Sequence, residues 1–274
     1  MKKNSRIISI LILLSFIMLL AACGQENRAQ NDTGNGIPEV AEKTSELTVS
    51  AAASLKDALE EIKTAYSKEK SNVAITYNFG GSGSLQQQIE QGAAVDLFIS
   101  AAEKQMDALK DKGLLLEDTR KDLLGNRLVL VVPADSTNIA DFKDLTKEQV
   151  KKIALGEPKS VPAGQYGEQV FTNLKIYDEL KPKFIYGKDV KEVLTWVETG
   201  NADAGVVYET DAKASVKVKV AAIASEDLHK PIVYPVSVLK ESKNQDAAKE
   251  FLNYLCREKA KPVFEKYGFS SISN

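Results

Sequence analysis

TYNFGGSGSLQQQIEQ, residues 76–91, decides the fold. Val73, Ile75, Tyr77 and Phe79 alternate at the two-residue period of a strand over 73–79, and Leu85 and Ile89 open a helical period that runs to residue 90. Between them, Gly80, Gly81, Ser82, Gly83 and Ser84 form a turn. A helix that starts straight after a strand points its free N–H groups and its positive dipole end at whatever sits beyond the strand, which suits an anion. Glycines let backbone approach such a ligand closely. The turn has no lysine of the kind that completes a phosphate-binding P-loop.

The same grammar extends outward. Upstream, 47–49 is a short strand signal, and Ser54 opens a segment in which Leu55, Ala58, Leu59, Ile62, Ala65 and Tyr66 recur at helical spacing. Downstream come a strand at 96–100 and a helix at 103–112 that Gly113 can cap. This βαβα order predicts a mostly parallel sheet with helices on its faces. LVLVV, residues 128–132, stopped by Pro133, reads as a strand buried on both faces. A second block follows: strand 152–155, helix 162–174, strand 183–186, helix 190–199, and strands 204–208 and 216–223. An extended stretch at 232–239 and helices at 246–257 and 260–267 close the chain. The pattern predicts two α/β lobes, one from 46–127 with 232–274 and one from 128–231. Residues 128–132 and 232–239 would be the crossing strands, and the terminal helices would return to the first lobe.

The N-terminus sets the compartment. Lys2, Lys3 and Arg6 precede an apolar run at 7–22, which is short of the roughly 20 residues of a membrane span and reads as an export signal. Small residues lead to Cys23, as in the lipobox of bacterial lipoproteins, so 1–22 is expected to be removed and Cys23 lipidated. Residues 23–45 are rich in Asn, Gln and Gly with almost no large apolar side chains; they form a tether. The expected location is extracytoplasmic, at the cell membrane. Loss of Lys2, Lys3 and Arg6 takes the net charge from −2 to −5, and Lys and Glu are dispersed over helical faces, so no nucleic acid partner is expected. Cys256 has no partner cysteine once Cys23 is modified, and is expected to be a buried small apolar side chain. His229, the single histidine, is expected on a solvated loop.

Four segments offer helix starts with little side chain in the way: 51–54, 81–84, 161–164 with Pro162 in the first turn, and 188–190 with Asp189 as N-cap. Two fall in each lobe at the carboxyl ends of strands, where open α/β sheets bind ligands.

The runs VSAAASLKDALEEI, FGGSGSLQQQIEQGAAVDLFISA, LLGNRLVLVVP, EPKSVPAGQYGEQVF, KDVKEVLTWVETGNADAGVVYETDA and KPIVYPVSV together resemble the molybdate-binding proteins of bacterial ABC transporters. The resemblance covers nearly all of 47–269. It implies an α/β, two-lobed periplasmic-binding-protein-like fold of type II, each lobe a mostly parallel sheet flanked by helices, joined by two crossing strands. It also implies an oxyanion ligand, molybdate or tungstate, held by Ser54 and Ser82 from one lobe and by Ala163, Val190 and Tyr208 from the other. No protein-to-metal bond and no cofactor is implied; the expected partners are the anion, a membrane permease and, through the lipid, the membrane, with the chain itself a monomer. Departures are small: the family's GAPAD reads Gly92, Ala93, Ala94, Val95 and Asp96, and a common aspartate before the proline is Glu157. Two alternatives stay open. One is another tetrahedral oxyanion such as sulfate. The other is a serine hydrolase using Ser82, since the turn nearly spells G-x-S-x-G, although the only histidine available as its base is His229.

Overall fold

The computed structural model describes residues 44–272; the signal at 1–22, the lipidation site Cys23 and the tether up to residue 43 lie outside the described residues. The chain opens with β1 (Ser45–Ala52), α1 (Lys56–Glu69), β2 (Val73–Gly80), α2 (Ser82–Glu90), β3 (Leu97–Ile99), α3 (Glu103–Asp111) and β4 (Lys121–Gly125). A second sheet begins with β5 (Leu128–Pro133) and β6 (Ile153–Gly156). It continues through α4 (Pro162–Asn173), α5 (Tyr177–Leu180), β7 (Phe184–Gly187), α6 (Val190–Glu198), β8 (Ala204–Tyr208), α7 (Glu209–Lys213) and β9 (Val218–Ile223). Then β10 (Val233–Val238), α8 (Gln245–Leu255), α9 (Lys261–Lys266) and β11 (Ser270–Ser271) complete the first sheet and its cover.

The two sheets have the spatial orders β11-β4-β10-β3-β1-β2 and β7-β6-β8-β5-β9. Each has three parallel strands at one edge. β1 runs parallel to β2 and β3, with Leu47 opposite Ile75 and Ala51 opposite Ile99; β6 runs parallel to β7 and β8. The expectation of mostly parallel sheets is corrected, because both are mixed. β10 pairs antiparallel with β3 and β4, and β5 pairs antiparallel with β8 and β9. Helical crossovers force parallel neighbours, but β5 and β10, the strands met directly after each passage between the sheets, run the other way. The chain leaves the first sheet through Asn126 and Arg127 into β5 and returns through 224–232 into β10. The strands expected at the crossings are thus the first strands met after each passage.

Apolar spacing explains which faces are covered. In α1, Ala58, Leu59, Ile62 and Tyr66 line one face and are buried, and in α6 the same holds for Val190, Val193, Leu194 and Val197. Every residue from Leu128 to Val132 has no measurable exposure, as an uninterrupted apolar strand should when helices or loops cover both faces. α8 packs Phe251 edge-on against Tyr66 of α1, which ties the C-terminal helix to the first sheet. α3 ends as expected, with Gly113 in the left-handed region at φ +66°. Two side chains depart from expectation. Cys256 is exposed, because it follows the last buried residue of α8, Leu255, and points off the helix end. His229 is half-buried, its ring edge-on to Tyr166. Among the described residues no helix is long and apolar enough to cross a membrane.

Candidate functional site

Four of the parallel strands, β1, β2, β6 and β7, each lead into a helix start, and these ends meet. β1 runs into a 3-10 turn, Ala53–Leu55, which carries Ser54. β2 ends at Gly80, and Ser82 is the first residue of α2 after the N-cap Gly81. β6 leads to Val161 as N-cap, Pro162 in the first position of α4, and Ala163. β7 leads to Asp189, whose side chain accepts from Glu192 N at 2.9 Å and so caps α6 at Val190. Tyr208 closes β8. The first-turn N–H groups of α2, α4 and α6 have no partner within their own helices.

The five expected positions are all buried: Ser54 5% exposed, Ser82 0%, Ala163 1%, Val190 3% and Tyr208 1%. None carries a charged side chain. Contacts between the lobes join them into one surface. Gly83 N donates to Ser160 O at 2.8 Å, which brings the start of α2 onto the turn before α4. A Cβ on Gly81 would lie 2.8 Å from Lys188 O, so the same turn also abuts the approach to α6. Tyr208 OH donates across the cleft to Ala101 O in a long contact of 3.5 Å. Its ring lies edge-on to Tyr234, with centroids 5.7 Å apart. Glycine is needed at 164 because α4 sits so close to the strand feeding it that a Cβ there would fall 1.9 Å from Gly156 O.

The hydroxyl groups are held by named partners. Ala101 N–H donates to Ser82 Oγ at 3.0 Å, which uses an oxygen lone pair and leaves the hydroxyl proton to be given. Asn126 Nδ2, which can only donate, reaches Tyr234 OH at 3.2 Å; that hydroxyl lies 2.9 Å from Ser54 Oγ. Either hydroxyl of the Ser54–Tyr234 pair can be the donor; if Tyr234 accepts from Asn126 and donates to Ser54, the Ser54 proton is free to be given. Tyr208 has its pKa pushed well above the usual tyrosine value, first by burial and then by Tyr234; it stays a donor at any physiological pH. Tyr234 and Asn126 are the site residues that sequence patterning missed. The one available signal was a polar Asn between the apolar runs of β4 and β5. Asn126 also donates to Thr210 Oγ1 at 2.9 Å, so the crossing residue touches both lobes.

Among the described residues, no histidine or carboxylate is hydrogen-bonded to Ser82 Oγ. That oxygen is engaged by an N–H donor, and His229 rests against Tyr166 with Nδ1 2.7 Å from Lys230 O. Among the described residues, no group of three or more His, Cys, Asp or Glu side chains is placed to hold a metal ion. The arrangement brings five buried residues without charged side chains together where the two lobes meet.

Residues 47–270 match the family model of the bacterial extracellular solute-binding proteins. YvgL of Bacillus subtilis (strain 168), assigned as an ABC transporter substrate-binding lipoprotein, is 47% identical over 259 residues, covering 94% of this chain and 95% of that one. The molybdate-binding protein ModA of Haemophilus influenzae is 41% identical over 232 residues, covering 83% of this chain and 91% of its own. The periplasmic molybdate-binding protein of Azotobacter vinelandii superposes with a TM-score of 0.75 at 24% identity, over 83% of this chain and 100% of that chain, which is a likeness of fold.

Proposed function

This chain belongs to the bacterial extracellular solute-binding protein family, and on that premise we propose that it captures molybdate between its two lobes and delivers it to the permease of an ABC importer. The observation that carries this is the donor supply of the cleft. Ser82 accepts from Ala101 N–H and so has its proton to give. Ser54 and Tyr208 bring hydroxyls whose present hydrogen bonds, to Tyr234 and a long one to Ala101 O, a bound anion can replace, and the helix starts at Ala163 and Val190 add backbone N–H groups. A fully deprotonated tetrahedral dianion has only acceptors and suits such a cage. A ligand that keeps a proton, such as phosphate near neutral pH, would leave that O–H without an acceptor, at about 1–3 kcal/mol.

Neutral donors suffice energetically. Hydrogen bonds to a charged group contribute roughly 1.5–3 kcal/mol each, so five positions supply about 8–15 kcal/mol. Association costs at least about 4 kcal/mol, and micromolar affinity needs about 8 kcal/mol. Tungstate has the same charge and shape and binds as well. The chain acts as a carrier, with no catalytic step. It works outside the cytoplasm as a monomer held to the membrane by lipid on Cys23, a role supported by the N-terminal pattern and by the likeness to a lipoprotein of Bacillus subtilis.

The deciding experiment is a thermal-shift panel with molybdate, tungstate, sulfate and phosphate, backed by calorimetry. Ligand at 1,000 times its Kd stabilises by about 4 kcal/mol. Molybdate and tungstate should each give large shifts, and phosphate none. A larger shift with sulfate would reassign the anion, and no shift with any of the four would overturn the oxyanion reading.

A further inference from the structure

Lys191 follows Val190 in the first turn of α6, and its ammonium lies between two carboxylates on opposite sides of the cleft. Nζ is 2.9 Å from Asp57 Oδ2 and 3.4 Å from Asp211 Oδ1. Asp57 is the second residue of α1, three residues beyond Ser54, and so belongs to the first sheet. Asp211 lies on α7 just behind Tyr208, whose N–H its other oxygen accepts at 3.3 Å. One cation on the helix of Val190 therefore touches the helices that directly follow Ser54 and Tyr208. α6 itself packs against the Ala53–Leu55 turn.

The two halves of this bridge differ in permanence. Asp211 is fully buried, and Oδ1 has no hydrogen-bond partner, so the ammonium at 3.4 Å is its compensating charge. A buried carboxylate stripped of its cation is strongly destabilising. Lys191 and Asp211 sit in the same lobe, so that pair survives any movement between lobes. Asp57 is different: its side chain is 46% exposed, it lies in the other lobe, and water can take over its solvation when the lobes separate.

We propose that Lys191 is a positioning residue that latches the lobes over the bound anion, using Asp211 as its fixed anchor and Asp57 as the catch that engages only on closure. The latch rests on the oxyanion reading above and adds to it a group that touches no ligand. It forms after the anion has entered, so it acts on release and not on capture. Residence time is where contacts made after encounter are felt.

The test is stopped-flow binding of molybdate to the full mature chain, followed through the single tryptophan, Trp196, which lies on α6, the helix that carries Lys191. Asp57→Asn should speed anion release about two- to fivefold, the range of a partly exposed ion pair, and leave the association rate unchanged. Asp57→Lys should speed release by more than about tenfold, since two ammonium groups then oppose each other across the closed cleft, and salt should narrow the difference by screening. Asp57→Glu should restore slow release. Wild-type release rates in both the Asn and the Lys variants would overturn the latch while leaving molybdate capture intact. The latch also fails if the variants bind more weakly only in proportion to a lower unliganded melting point, since Asp57 would then serve only the start of α1. Absence of any molybdate or tungstate signal from the wild type would overturn the oxyanion reading, and the latch with it.

Discussion

Gly83→Ala isolates lobe closure from folding. Gly83 lies in the first turn of α2, and a Cβ there would stand 2.7 Å from Ser160 Cα and 2.8 Å from Ser160 O, both backbone atoms of the other lobe. Carbon atoms pack best at about 3.5–4.0 Å, so the overlap approaches 1 Å and no side-chain rotation relieves it. The relief available is for the lobes to part, which also stretches the 2.8 Å bond from Gly83 N to Ser160 O. Overpacking of this size costs about 1–3 kcal/mol. That cost falls on the closed form, because the first lobe alone gains a better helix former at that position. If anion binding requires closure, the apparent Kd rises by the full penalty, about 5- to 150-fold at 1.4 kcal/mol per tenfold. Isothermal titration with molybdate measures the affinity, and calorimetric unfolding without ligand measures the fold. An affinity within twofold of wild type would refute the reasoning, as would an unliganded stability that falls by as much as the binding free energy.

Ser82→Ala removes one donor and should raise the molybdate Kd about ten- to a hundredfold, read by calorimetry; with no histidine or carboxylate hydrogen-bonded to its hydroxyl, neither form should hydrolyse simple esters. Tyr234→Phe strips a partner from both Ser54 Oγ and Asn126 Nδ2; denaturant unfolding should show a loss of about 1–3 kcal/mol, and anion affinity should fall although no ligand contact is removed. Asp211 supplies a pH test. Burial raises its pKa from 3.8 to about 6, with Lys191 pulling the other way. A carboxyl raised in the folded state binds its proton more tightly there than in the unfolded chain, so its stabilising contribution is full below about pH 4 and is lost as pH rises through about 6. Relative to Asp211→Asn, wild-type stability should decline by on the order of 3 kcal/mol across that window. A flat difference between the two denaturation series would show that Asp211 does not titrate there.

Local chemistry was legible in the sequence wherever it depends on near neighbours. The strand, turn and helix of 73–90 are such a case, as are the Asp189 cap and the end of β8 at Tyr208. The direction of strand pairing was not, since β10 reaches β3 and β4 only after more than a hundred intervening residues and pairs with β4 through a register shift at Tyr234 and Pro235. β4 itself, KDLLG, is five residues long with two charges, too little pattern to announce a strand. The partners of the serines escaped for the same reason. Tyr234 lies 180 residues from Ser54 and 108 from Asn126, so a tyrosine that reads as strand packing turns out to be hydrogen-bonded to a distant hydroxyl. Cys256 shows the converse error, a residue type most often buried that ends up exposed because the helix ends beneath it.

Dividing the donors between lobes has a thermodynamic consequence. Ser54 and Ser82 alone would contribute about 3–6 kcal/mol to a dianion, which barely exceeds the association cost of about 4 kcal/mol. An open cleft with the anion on one lobe is therefore millimolar or weaker. On the proposed reading, Ala163, Val190 and Tyr208 would reach the same anion only in the closed form, in which Gly83 meets Ser160 and Lys191 meets Asp57. Occupancy and closure are then a single equilibrium: a permease that grips only the closed surface meets loaded carriers, and prying the lobes apart returns the anion to its weak, two-donor state for release.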